Sequence, residues 1–171
     1  MKLRGSQLAG LAIAFALVIA GKHYYRNAGA EELAWLLAPT AKMVSALTGS
    51  HFVHEVGVGW VDRDVTFEIA PVCAGLHFML AGFLALVIGW LGGMRTWRGM
   101  VKRIAIAAVM AYVATLVINT IRIAIAIRMH VANASSSDLH RLEGIIVYLG
   151  GLCALYAAAK AIDERIHREA T

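Results

Sequence analysis

Apolar and polar positions fall in blocks along this chain: long apolar runs are separated by short clusters of charge. Four runs approach the roughly 20 residues that a helix needs to cross a ~30 Å hydrocarbon core. They lie at about 8–21 (slightly short), 72–91, 104–127 and 142–162. A further apolar stretch, 33–48, is interrupted by Pro39 and Lys42. It reads as an interfacial or re-entrant helix in preference to a fifth span. The first run follows Lys2 and Arg4, as the apolar core of a secretory signal would. No small-residue cleavage site follows it before Lys22-His23-Tyr24-Tyr25-Arg26, so it is read as a retained span. Between the first and second spans the pattern changes. Val56-Gly57-Val58-Gly59-Trp60-Val61 and Val65-Thr66-Phe67-Glu68-Ile69 are β-rich and separated by Asp62-Arg63-Asp64, which predicts a short external β-hairpin leading into Pro71. An isolated hairpin is marginal in water, so it must rest on the helices or on the membrane surface. It serves either as an edge for an extended substrate segment or as a plain connector. The fold class is therefore an all-α integral membrane protein, a single transmembrane domain over 1–171. It has about four transmembrane helices, the interfacial or re-entrant helix and the hairpin.

Composition supports that class. Sixty per cent of the residues are hydrophobic and 16% charged, too few charges for the polar coat of a 171-residue soluble core. The net charge of +5 does not point to nucleic acid, because the basic residues flank the apolar runs. With four spans, Lys2, Arg4, Arg95, Arg98, Lys102, Arg103, Lys160, Arg165 and Arg168 share one side, which the positive-inside rule makes the cytoplasm. Both termini are then cytoplasmic, and residues 22–71 and 128–141 face outside the cytoplasmic membrane.

This topology brings three distant residues to one depth near the outer face. Cys73 opens the second span, Arg122 lies in the outer part of the third, and His140 sits in the outer loop before the fourth. A thiol, a permanent cation and an imidazole are the minimum set for acyl transfer through a cysteine thioester. Each also has a plainer reading. Membrane cysteines commonly pack as small hydrophobes, as Cys153 does in the fourth span. Cys73 stands between a proline and Gly75, where backbone can approach a substrate closely. Arg122 can snorkel to the interface, yet a charge inside a span is costly and points to function. Asn119, one turn earlier, shares its face. A Cys73–Cys153 disulfide is disfavoured because Cys153 lies ~15 Å along its helix from the outer end. A zinc site from His51, His54, Cys73 and His77 has no recognised spacing, so no metal is expected.

Pro71-Val72-Cys73-Ala74-Gly75, Asn119-Thr120-Ile121-Arg122-Ile123 and His140-Arg141-Leu142-Glu143-Gly144 resemble, in order, the three signature blocks of the exosortase/archaeosortase family. The run Cys-Ala-Gly-Leu-His-Phe is most similar to the small exosortase K type. The resemblance covers roughly residues 50–150. It implies a membrane cysteine transpeptidase in the bacterial inner membrane. Its partners would be precursor proteins whose C-terminal sorting tail carries a short motif, a transmembrane helix and a basic cluster. By resemblance Cys73 is the nucleophile, Arg122 stabilises thiolate or oxyanion, and His140 is the general acid/base. Asn119, His77 and Gly75 belong to the substrate-binding or supporting layer. Ala74 stands where many members carry Ser, and the extra helices of larger members are missing. The chemistry needs no cofactor, and no nucleotide-binding glycine pattern appears among the sixteen glycines. The competing class is a non-enzymatic helical membrane protein, an assembly factor or small transporter subunit, with Arg122 as a packing or ion-path residue.

Overall fold

A computed structural model describes residues 4–64, 66–132 and 137–169, with 137–141 and 166–169 described as backbone alone. It is 77% helical. The elements in order are α1 (Gly5–Asn27), α2 (Ala34–Thr48), β1 (Val53–Glu55), β2 (Gly59–Asp62), β3 (Phe67–Ile69), α3 (Leu76–Gly89), α4 (Trp97–Val131) and α5 (Ser137–Glu169). Short 3-10 turns at Pro71–Cys73 and Leu91–Gly93 flank α3. Four segments are long and apolar enough to cross a membrane: Gly5–Asn27, Pro71–Gly89, Trp97–Val131 and Leu142–Arg165. They are compatible with a multi-pass membrane protein. α4 and α5 outrun the expected spans at both ends because good helix formers such as Lys, Arg and Glu continue a helix past its apolar stretch.

α2 is a 15-residue helix, about 22 Å long at the helical rise and so short of a hydrocarbon core. It buries one stripe, Leu36, Leu37, Thr40, Ala41 and Val44, the spacing of an amphipathic helix. It stops at Gly49, whose left-handed backbone returns its N–H to Ser45 O at 2.9 Å.

The hairpin expectation needs correction. Three antiparallel strands form in the order β1-β2-β3, with Val53 opposite Val61 and Trp60 opposite Ile69. Val56-Gly57-Val58 is the turn between β1 and β2. Gly57 has φ +77 and Val58 N–H donates to Glu55 O at 3.1 Å. The missed strand, Val53-His54-Glu55, has no apolar alternation to announce it. Asp62, 1% exposed, anchors the sheet by accepting the backbone N–H of His51 at 2.5 Å and of Asp64 at 2.9 Å.

The chain divides into two compact units. One contains 1–24, 77–114 and 151–171. Its core gathers Phe83, Leu86, Val87, Trp90, Met94 and Met100 around Ala14, Ala107, Ala111 and Ala159. Side chains satisfy backbone ends there: Ser6 Oγ donates to Met94 O (2.7 Å) and Trp90 Nε1 to Ala159 O (2.8 Å). Arg103 is paired with Asp163 at 2.5 Å. The other unit contains 25–76 and 115–150: α2, the sheet, the Pro71–Cys73 turn, the second half of α4 and the start of α5. Leu33, Leu36, Leu37, Val44, Ile69 and Ile123 are fully buried in it.

Candidate functional site

Cys73 lies on a short 3-10 turn ahead of α3, not on an α-helix. It closes the 3-10 turn that Pro71 begins, where a fixed φ and a missing N–H suit the first position of a helical turn. Its own N–H donates to Ala70 O at 2.8 Å, and Ala74 N–H to Pro71 O at 3.0 Å. Tyr25 Oη donates to the same Pro71 carbonyl at 3.1 Å. Gly75 then takes φ +71 before α3 begins. This break interrupts the helical face that spacing assigns to Cys73 and His77, and His77 is exposed on the first turn of α3.

Gly75 is needed twice over. A Cβ there would lie 3.1 Å from Asn119 Cγ and 3.2 Å from Thr115 Cγ2, on top of the left-handed backbone. Gly75→Ala is expected to cost about 2 kcal/mol in stability. The cost would appear as a lower midpoint of thermal unfolding in detergent. An unchanged midpoint would mean that the turn does not rely on this close approach.

α4 supplies the next layer. Asn119 is completely buried and its Nδ2 donates to Cys73 O at 2.6 Å, tying the turn to the helix. Its Oδ1 accepts from Tyr148 Oη at 2.7 Å. One turn on, Arg122 Nη1 donates to Tyr148 Oη at 2.8 Å and, more weakly, to Asn119 Oδ1 at 3.4 Å. The Arg122 guanidinium is within electrostatic reach of the Cys73 thiol and of Glu143. α5 passes close by at Gly144, where a Cβ would sit 3.6 Å from Arg122 Nε.

The structure thus brings together Cys73, Gly75, Asn119 and Arg122 of the expected residues. Residue 140 belongs to α5, four positions before Gly144, rather than to a loop, because the helix begins at Ser137. Polar Ser and Asp are favoured at helix starts. The His140 side chain lies outside the described residues. Of the histidines weighed for zinc, His54 packs tilted against Trp60 (4.7 Å between centroids, 48° between planes) and pairs with Glu31 at 3.3 Å. Among the described residues no group of three His, Cys, Asp or Glu is placed to hold a metal. Both cysteines are free thiols.

Tyr25, Tyr148 and Glu143 were not expected. An arginine inside an apolar helix calls for a counter-charge, and Glu143 is the acid within the third sequence block. Tyr148 follows Gly144 by four residues and so shares its face. Tyr148→Phe keeps the ring and removes the hydroxyl that receives Arg122 and donates to Asn119. The expected result is a loss of about 1–3 kcal/mol in stability, the value of an interrupted buried hydrogen bond, read as a lower midpoint of thermal unfolding in detergent. An unchanged midpoint would mean that this hydroxyl does not help hold Arg122 and Asn119 in place.

No protein-family model, curated protein or solved structure matches this chain.

Proposed function

We propose that this chain is a membrane-embedded cysteine transpeptidase or peptidase of the exosortase type. The observation that carries the reading is the Arg122 guanidinium, held by Tyr148 and by Asn119, which also ties down the Cys73 turn, within electrostatic reach of the thiol. A pre-positioned cation beside a half-buried thiol is what a cysteine nucleophile requires. Packing alone gives no reason to place an arginine there.

In the proposed reaction the Cys73 thiolate attacks the scissile carbonyl, forming a C–S bond. Arg122, always charged, stabilises the oxyanion in a site of low dielectric. The C–N bond then breaks, and the leaving amine takes a proton from His140, the general acid of this scheme. The resulting thioester passes its acyl group to an acceptor nucleophile, whose proton returns to the His140 base and whose attack releases Cys73. Water as acceptor gives hydrolysis instead. The substrate is a precursor with a C-terminal tail of short motif, apolar helix and basic cluster. β3, an edge strand ending four residues before Cys73, is suited to align the extended motif by strand addition. The positive-inside rule sets the site at the outer face of a bacterial cytoplasmic membrane, with both termini inside.

Labelling tests this placement. In a Cys153→Ala background, a membrane-impermeant thiol reagent applied to intact cells at pH 7 should modify Cys73 rapidly, and far more slowly in Arg122→Lys. Equal and slow labelling in both would return Cys73 to packing and favour the non-enzymatic reading.

A further inference from the structure

In the unit built from 1–24, 77–114 and 151–171, a groove of about 320 Å³ runs along α4. Its floor is apolar and its rim is basic. Lys102, Ile106 and Met110 line it at successive turns of α4, joined by Arg103, by Ile162 of α5 and by Trp90. From Lys102 to Met110 the groove follows about 12 Å of helix at 1.5 Å per residue. The Trp90 Nε1–H is taken by Ala159 O at 2.8 Å, so its ring offers carbon surface to an occupant. Arg103 is neutralised by Asp163 at 2.5 Å. Lys102 is exposed and is joined by exposed Arg95 and Arg98, with no acidic residue between positions 95 and 103. Trp97, in the same stretch, is 64% exposed. An exposed indole among cations is the composition of a helix end at the lipid headgroup level.

The occupant must have an anionic head and a thin apolar tail. A helix, 10–12 Å across with its side chains, is too wide for a groove of this volume. A hydrocarbon chain is not. We propose that the groove binds one anionic glycerophospholipid, with an acyl chain along Ile106 and Met110 and the phosphate at Lys102. Basic pockets of this kind on the cytoplasmic side are suited to acidic headgroups. The proposal rests on the membrane reading of the four apolar helices and is independent of the chemistry at Cys73.

The test uses the purified full chain in a neutral detergent, with thermal unfolding followed as dioleoylphosphatidylglycerol or dioleoylphosphatidylcholine is added. The anionic lipid should raise the midpoint well above the zwitterionic one, by mass action on the folded state. Lys102→Gln should weaken the apparent affinity for phosphatidylglycerol about fivefold, the contribution of one surface cation. Ile106→Trp should abolish the preference by filling the groove, and Arg98→Gln, outside it, should keep it. If Ile106→Trp unfolds in detergent alone, Lys102→Gln against Arg98→Gln decides. Equal stabilisation by both lipids, or equal losses in Lys102→Gln and Arg98→Gln, would overturn the site. So would a doubling of molecular mass without bound lipid, which would make the groove a contact between copies.

Discussion

Cys73→Ala is expected to leave precursor uncleaved, a loss of at least about 10³-fold in processing, with the protein still inserted and folded. The asymmetry follows from how the residue is held. Its structural ties are made by backbone, N–H to Ala70 O and C=O to Asn119 Nδ2. In the proposed reaction the side chain contributes the nucleophilic sulfur. Removing it deletes the bond-forming atom and leaves the turn intact. Cys73→Ser should be equally inactive, since a hydroxyl is a far weaker acid than a thiol and Arg122 cannot make up the difference. Gel mobility of a tagged precursor reads both variants, with thermal unfolding in detergent as the folding check. Continued cleavage by a folded Cys73→Ala protein would remove Cys73 from the reaction.

The second large effect is at Arg122. Arg122→Lys keeps a positive charge and loses the planar guanidinium that donates to Tyr148 and Asn119. Turnover should fall by about 10²–10³, the scale of losing one pre-positioned oxyanion donor. Arg122→Ala adds a structural penalty. The Glu143 carboxyl oxygens are buried within electrostatic reach of this guanidinium, so removing it takes away their nearby cation and should lower stability. A double-mutant cycle separates the two roles. Glu143→Gln in the Arg122→Ala background should restore much of the stability and none of the turnover. Recovery of both would reduce Arg122 to a packing partner of Glu143.

The four apolar helices were legible because twenty-residue apolar runs have few alternative uses. Their ends were not, since α4 starts among Trp97, Arg98 and Lys102 and α5 continues through Asp163, Glu164 and Arg165, residues that hydropathy assigns to loops. The meeting of Cys73, Asn119 and Arg122 was legible from block order and a shared membrane depth. What sequence could not show is how Cys73 is held. The 3-10 turn and the positive φ of Gly75 arise from a close approach to Asn119 and Thr115. That contact joins residues forty and more positions apart. Tyr148 and Tyr25 escaped notice for the same reason: an aromatic in or beside an apolar run is ordinary until its hydroxyl is seen on Asn119 or on Pro71 O. The β1 strand escaped because Val53-His54-Glu55 is too short and polar to stand out as the β-rich runs around β2 and β3 do.

In the proposed reaction, acyl transfer passes through a thioester on Cys73. The direct measurement is to mix the purified full chain with a tagged precursor, quench in acid, and look for a covalent adduct. The expected adduct maps to Cys73, is released by neutral hydroxylamine, and is absent in Cys73→Ala. Precursor cleavage with no hydroxylamine-labile adduct at any quench time, or an adduct at another residue, would contradict it.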